Sequence, residues 1–224
     1  MRVPKAVLSW VVVAASVAGF VALCVLVVSG RLLWLDTSVP QWADAARALW
    51  LTEIMRSVTH LGDGWTLALL SIAACCALWY SGDRRATLFL LCISAGVGLV
   101  DNGLKLAFAR ERPDVALRLV RASGFAFPSG HAMASAAIYA ALAHVARGRS
   151  RSWRRWAMPT LAVALVAVVG WSRVYLNVHY ASDVLGGWLL GLSWYVLLGQ
   201  LILGGSAAQP GPRLSSSDPS QRPR

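Results

Sequence analysis

The chain has 224 residues, of which 57% are hydrophobic and 14% carry charge, and its mean hydropathy is +0.58. Because the apolar residues occur in long blocks, this composition excludes an ordinary soluble domain and indicates a membrane protein. The net charge of +11 does not indicate a nucleic-acid partner, since the basic residues lie mostly in short segments between apolar blocks, where membrane orientation explains them.

The apolar blocks predict an all-α, polytopic membrane protein with a bundle of six transmembrane helices. The first block is longer than the roughly 7–15 apolar residues of a signal peptide, so we interpret it as a helix and not as a cleaved leader. A span needs about 20 residues, which makes the second and fourth blocks short. The spans are expected near residues 6–28, 65–80, 86–108, 130–146, 156–171 and 184–203.

The segment 32–64, between the first two spans, predicts an amphipathic helix. Its apolar residues, Trp42 and Trp50 among them, recur at helical spacing with charged residues between them. Such a helix can lie at the membrane surface with its tryptophans at headgroup level, or it can pack on the bundle. The sequence leaves both alternatives open. In the third span, Gly96, Gly98 and Gly103 predict close helix packing.

The composition changes abruptly near the end of the chain. Residues 205–224 are rich in Gly, Ser, Pro, Gln and Arg, and such a segment cannot bury enough apolar surface to fold. We therefore expect one integral membrane domain over residues 1–204, followed by a disordered cytoplasmic tail.

The loop arginines predict the orientation. With six spans, one side of the membrane receives 12 of the 21 basic residues, and the rule that cytoplasmic loops are positive makes that side cytoplasmic. Both termini are then in the cytoplasm, and the connections between spans three and four and between spans five and six lie outside. The 12 residues are Arg2, Lys5, Arg84, Arg85, Arg147, Arg149, Arg151, Arg154, Arg155, Arg213, Arg222 and Arg224.

Three polar motifs meet at that outer side. The first is Lys105 and Arg112, seven residues apart and on one face if the third helix continues that far. The second, Pro128-Ser129-Gly130-His131, opens the fourth span. The third runs from Ser172 to Asp183. Ionisable groups at membrane depth are costly and usually functional, so this conjunction predicts a site.

Each motif suits one task at an anionic ligand. Ser129 as a helix N-cap and Gly130 as a point of close approach present backbone N–H groups to an anion. Lys105, Arg112 and Arg173 supply three cations that can hold a phosphate. No acidic cluster indicates magnesium or calcium, so no metal and no cofactor are predicted.

The third motif also supplies a nucleophile. His179 and Asp183 are four residues apart, so on a helix they share a face and can hydrogen-bond. The carboxylate fixes the imidazole tautomer, and the free ring nitrogen can attack phosphorus. His131 can protonate the departing oxygen. His144, near the other end of the fourth span, is expected to be structural.

The three motifs together resemble the signature of the type-2 phosphatidic acid phosphatase superfamily, which includes membrane lipid phosphatases and soluble vanadium haloperoxidases. The resemblance covers residues 60–203 and rests on Lys105-x6-Arg112-Pro113, Pro128-Ser129-Gly130-His131 and Ser172-Arg173-x5-His179-x3-Asp183. It implies a six-helix bundle and a metal-independent phosphatase with a phospho-histidine intermediate. It further implies His179 as nucleophile, Asp183 as its orienting residue, His131 as general acid, and a phosphate site of Lys105, Arg112, Ser129, Gly130 and Arg173.

These features predict a lipid phosphatase of the cell (inner) membrane whose active site faces the periplasm or exterior. Its partners would be the bilayer and a lipid phosphate. Undecaprenyl diphosphate is the leading expectation, with phosphatidic acid and phosphatidylglycerol phosphate as alternatives. Phosphotransfer to a second lipid uses the same intermediate and stays open, as does a non-catalytic scaffold or transporter. A haloperoxidase is disfavoured because those relatives are soluble.

Overall fold

The computed structural model describes residues 5–148 and 153–204, and over these ranges the chain is helical without a strand. Short helical turns lie at His60–Gly62, Val115–Leu117 and Gly199–Leu203. The predicted tail at residues 205–224 lies outside the described residues, as do Arg149 and Arg151. The helices are α1 (Lys5–Val28), α2 (Leu33–Ala45), α3 (Leu49–Thr59), α4 (Gly64–Tyr80), α5 (Arg84–Phe108), α6 (Gly130–Gly148), α7 (Arg154–Tyr175) and α8 (Ala181–Leu198).

Four helical segments of the described chain are long and apolar enough to cross a membrane: Val7–Val28, Arg84–Phe108, Trp156–Tyr175 and Ala181–Leu203. A fifth crossing arises if Leu49–Gly62 and Gly64–Tyr80, which meet at 48°, form one bent span. The chain is therefore an integral membrane protein with four or five candidate spans. The predicted count of six is not confirmed.

Helix α6 is the centre of the bundle. It packs against α5, α7 and α8, and its alanines are largely buried. Small side chains let these neighbours approach closely. Helix α6 is long enough to span a membrane, but its alanines, glycines and histidines give it a lower mean hydropathy than the four spans above.

The segment between α1 and α4 corrects one prediction. Residues 32–64 form two helices, α2 and α3, separated by a break at residues 46–48. Ala48 has extended backbone angles, which ends any continuous helix there. Trp42 and Trp50 are each 67% exposed on the outer faces, while Asp36 and Ala43 on α2 are buried against the bundle.

The glycines of α5 also differ from expectation. The indole of Trp194 lies against Gly96, where an added Cβ would be 2.1 Å from a ring carbon. At Gly98 and Gly103 no other helix of the described chain comes within 4 Å of that position, so the prediction of close packing there is wrong. Helix α8 approaches the α6 backbone closely at Gly191, whose added Cβ would lie 2.5 Å from the Met133 carbonyl oxygen.

This contact predicts a stability difference. We expect Gly191→Ala to lower the unfolding temperature in detergent because α8 must move away from the α6 backbone. Gly103→Ala should be neutral or stabilising, since it fills open space and alanine is favoured over glycine in a helix by about 1 kcal/mol. Thermal unfolding of both variants measures the difference. Equal unfolding temperatures would contradict the close approach.

Candidate active site

The connection from α7 to α8 carries the third motif. Helix α7 continues through Arg173 to Tyr175, so the arginine lies in a helical turn and not in the loop. The loop folds back on that turn, because the Arg173 carbonyl oxygen accepts hydrogen bonds from the backbone N–H groups of Val178 at 3.2 Å and His179 at 3.3 Å.

His179 and Asp183 are in contact, although not as two residues of one helix. His179 lies in the loop, and α8 begins only at Ala181. Asp183 Oδ2 accepts the Tyr180 backbone N–H at 2.9 Å and lies 3.3 Å from His179 Nδ1. The first turn of α8 thus orients the carboxylate. The prediction of the contact was right, but the prediction that both residues lie on one helix was not.

The surroundings of His179 select its neutral form. The side chain is buried, and its Nε2 atom is 2.9 Å from Arg112 Nη1. An arginine only donates, so Nε2 carries the lone pair and Nδ1–H donates to Asp183. Burial, reinforced by the charges of Arg112, Arg173 and Lys105, holds the pKa of His179 well below its ordinary value of 6.5.

This shift predicts the acid limb of the pH profile. A nucleophilic imidazole must be neutral, so kcat/KM should rise with pH through the low pKa of His179 and reach its plateau by neutral pH. We expect the midpoint of the acid limb below pH 6.5. Initial rates across buffers from pH 4 to 8 measure it. A midpoint above 6.5 would contradict the assignment.

The first motif contacts the third, but its two residues do not lie on one continuous helix as predicted. Helix α5 ends at Phe108, and Ala109 has a left-handed φ of 44°, so Lys105 and Arg112 do not share a helical face. Arg112 is instead held by backbone oxygens. Its guanidinium donates to the carbonyls of Ser123 and Gly124 and, at 2.8 Å, to that of Val178.

The second motif lies beside both. The Ser129 backbone N–H donates to the Asp183 carbonyl oxygen at 3.0 Å. Ser129 Oγ is buried without a hydrogen-bond partner among the described residues, so it does not cap α6 as predicted. Gly130 faces Asp101, whose Oδ2 would be 2.7 Å from an added Cβ and is 2.7 Å from Lys105 Nζ. Asp101 therefore joins Lys105 to the start of α6.

Arg173 is contributed by the last turn of α7. It is buried, and its Nη1 donates to Thr59 Oγ1 at 2.7 Å. Within residues 5–148 and 153–204, its Nε atom is buried without a hydrogen-bond partner, like Ser129 Oγ. Buried donors are almost always satisfied in native proteins, so two unsatisfied ones in one region fit a site that binds an anion.

Two residues that are not among the predicted site residues hold Asp183, one directly and one through its partner. Arg110 Nη1 donates to Asp183 Oδ1, and Arg110 Nη2 donates to Asp36 Oδ2 at 2.7 Å. Asp36, on α2, also accepts from the backbone N–H and hydroxyl of Ser182. This network ties the first amphipathic helix to the start of α8.

Sequence reasoning missed a further partner, that of His131. His131 Nε2 lies 2.9 Å from Asp63 Oδ1, at the junction of α3 and α4. Asp36 and Asp63 lie outside the three motifs, and Arg110 occupies an unspecified position within the first of them. One signal in the sequence could have identified them. The chain has only 10 acidic residues, and a charged group close to an apolar span is costly in free energy and usually functional.

The eight predicted site residues thus converge at one end of the bundle. A cavity of about 1000 Å³ lies elsewhere, between α6, α7 and α8 and beside His144 and Arg147. His144 Nδ1 is 2.9 Å from Tyr195 Oη there. The end of the bundle where the three motifs meet contains a neutral histidine, an oriented carboxylate and several cations. These groups are suited to phosphoryl transfer.

Comparison with known proteins agrees with this chemistry. The model of the PAP2 superfamily matches residues 86–203. A phosphatidylglycerophosphatase B of Bacillus subtilis is 34% identical over 73% of this chain and 81% of its own length. A lipid A 4'-phosphatase of Porphyromonas gingivalis is 27% identical over 66% of this chain and 69% of its own. The crystal structure of a transmembrane PAP2-type phosphatidylglycerolphosphate phosphatase from B. subtilis superposes with a TM-score of 0.82, at 29% identity over 88% of this chain and 98% of that chain.

Proposed function

Because the chain belongs to the PAP2 superfamily and is a membrane enzyme that hydrolyses lipid phosphates, we propose that His179 takes up the phosphoryl group of its substrate as a phospho-histidine. The observation that carries this proposal is the His179 ring, whose Nδ1 is bound to Asp183 and whose Nε2 lone pair faces Arg112. That nitrogen is the one an incoming phosphate would meet.

In the first step, His179 Nε2 attacks phosphorus and the bond from phosphorus to the lipid oxygen breaks. The electron pair of that bond goes to the leaving oxygen, which takes a proton from His131. Asp183 stabilises the positive charge that the His179 ring acquires. Lys105, Arg112, Arg173 and the N–H groups at the start of α6 stabilise the negative charge on the phosphoryl oxygens. Ser129 and Gly130 complete this phosphate site.

In the second step, a water molecule replaces the lipid. His131, now neutral, takes a proton from the water, whose oxygen attacks phosphorus while the P–N bond to His179 breaks. Phosphate leaves, and both histidines return to their starting states. The cycle needs no metal ion and no cofactor. The same intermediate transfers phosphate to a second lipid if that lipid occupies the place of the water.

For the substrate, we place phosphatidylglycerol phosphate first among three candidates. The B. subtilis relative, which covers most of the chain, bears that activity in its name. Undecaprenyl diphosphate, the leading expectation from sequence, and phosphatidic acid remain in the set. All three carry a phosphate on a lipid anchor, so the phosphate lies at the membrane surface. The polar motifs lie at the same surface in the proposed orientation.

The proposed location is the cell (inner) membrane with the site at its outer face and both termini in the cytoplasm. The distribution of loop arginines supports this orientation. It retains α4 and α6 as spans, with α2 and α3 at the outer surface. A cysteine reporter at Ser123, in the loop that holds Arg112, would react with a membrane-impermeant reagent in intact cells. Protection until the cells are opened would contradict the orientation.

The substrate proposal is tested with purified protein in detergent. Phosphate release is measured from the three lipids in the presence of EDTA, with radiolabelled lipid and a second unlabelled lipid in parallel reactions. We expect metal-independent release from at least one lipid and inhibition by vanadate, which mimics the five-coordinate transition state. A strict metal requirement would overturn the proposed mechanism. Label that moves into the second lipid would identify a phosphotransferase.

A further inference from the structure

The α3–α4 turn, residues 59–63, lies against the site but belongs to none of the three motifs. Tyr139 Oη donates to the Leu61 carbonyl oxygen at 2.7 Å, which fixes the turn on α6. Gly62 fits closely: an added Cβ would be 2.5 Å from a methyl of Val169 and 3.1 Å from His131 Cδ2. The turn is therefore held in place against both α6 and α7.

The carboxylate of Asp63 is oriented from two sides. Its Oδ2 atom is 2.7 Å from His60 Nδ1 and accepts the Trp65 Nε1–H at 3.1 Å. Its Oδ1 atom is left for His131 Nε2, at 2.9 Å. The contact crosses 68 residues of sequence and is only partly accessible, with exposed side-chain fractions of 21% for Asp63 and 25% for His131.

This contact assigns the two nitrogens of His131. Nε2 is engaged by Asp63, and a carboxylate accepts, so Nε2 carries a hydrogen. The only ring nitrogen of His131 that can exchange a proton with a substrate is then Nδ1. Asp63 and His131 thus form a second carboxylate–imidazole pair beside the one of Asp183 and His179, with the same division between an oriented nitrogen and a free one.

We propose that Asp63 is the positioning residue of the general acid, and that it holds His131 by Nε2–H so that Nδ1 faces the leaving oxygen. This proposal rests on the acid role of His131 in the proposed function. In the first step Nδ1–H gives its proton to the lipid oxygen as the P–O bond breaks. In the second, Nδ1 takes a proton from the attacking water. Nε2–H stays on Asp63 throughout, and the carboxylate stabilises the imidazolium between turnovers.

A structural role for Asp63 makes a different prediction. If Asp63 only fixed the α3–α4 turn, its loss would slow all substrates alike. If it orients the acid, its loss matters in proportion to how much the leaving group needs a proton. A nitrophenolate leaves without being protonated, whereas the alkoxide of a lipid must take up a proton as it leaves. The ratio of the two rates is therefore the deciding quantity.

The experiment compares Asp63→Asn with His131→Ala, the double variant and Glu53→Gln. Glu53→Gln is a matched control, since it also replaces a carboxylate of the same region by an amide. Glu53 pairs with Arg56 on the exposed face of α3. The full-length proteins are assayed in detergent on short-chain phosphatidic acid and on phenyl phosphates of graded leaving-group acidity. Thermal unfolding reports whether each variant is folded.

We expect Asp63→Asn to lower kcat/KM for phosphatidic acid by about 10- to 100-fold, and for nitrophenyl phosphate by less than about 3-fold. Glu53→Gln should match the wild type on both substrates. Because Asp63 acts through His131, the double variant should be no slower on phosphatidic acid than His131→Ala alone.

Three outcomes overturn the proposal. Asp63→Asn leaves the ratio of the two rates unchanged, or it has wild-type activity, or its effect multiplies with that of His131→Ala. Failure of the proposed function looks different. In that case His131→Ala itself slows good and poor leaving groups equally, or the wild-type protein releases no phosphate.

Discussion

His179→Ala is expected to abolish lipid phosphate hydrolysis, with a loss on the order of 10⁴-fold or more, because the P–N bond cannot form. Lys105, Arg112 and Arg173 remain, so the variant should still bind substrate. Phosphate release from the lipid that the wild type prefers measures the loss, and trapping with labelled substrate under alkaline conditions shows whether label stays on the protein.

A matched control is His144→Ala. That histidine also makes a side-chain hydrogen bond, to Tyr195 Oη at 2.9 Å, but it lies on α6 about 20 Å from His131 along the helix. Its activity should stay within about 3-fold of the wild type, since surface changes away from a site have small effects. Hydrolysis that persists in folded His179→Ala, or label retained on that variant, would contradict the proposed nucleophile.

Asp183→Asn should have the second largest effect, on activity and on stability together. The amide cannot match the charge that His179 acquires, and in a serine protease triad the same replacement costs about 10⁴-fold in kcat. Here the carboxylate also pairs with Arg110 and accepts the Tyr180 N–H. Breaking a buried ion pair by removing one partner costs about 3–5 kcal/mol, so we expect a clear fall in unfolding temperature.

Asp36→Asn separates these two effects. Asp36 shares the partner Arg110 and is as buried as Asp183, but it does not contact His179. The variant should lose stability to a similar extent and activity by less than about 10-fold. Denaturation midpoints and initial rates, taken on the same preparations, provide the comparison. Equal losses of activity in both variants would mean that Asp183 acts only through the Arg110 network.

The spacing of residues within the motifs predicted their contacts poorly. The Lys105–Arg112 spacing suggested one helical face, but α5 ends at Phe108 and the loop carries Arg112 to His179 by hydrogen bonds to backbone oxygens. Similarly, Ser129 was predicted to cap α6, and its hydroxyl has no hydrogen-bond partner in the part of the chain that the structure describes. In both cases the contacts of the residue depend on how distant segments pack, and the spacing along the chain does not contain that information.

The sequence by itself determined the membrane class, the helical architecture and the three motifs, because apolar block length and clustered polar residues are local properties of a chain. Only the tertiary structure decided which groups support the reacting atoms. Asp63 reaches His131 across 68 residues, and Arg110 joins Asp36 to Asp183 across 74 and 73. Such contacts have no period or spacing to recognise, since they depend on where the α3–α4 turn and helix α2 dock on the bundle.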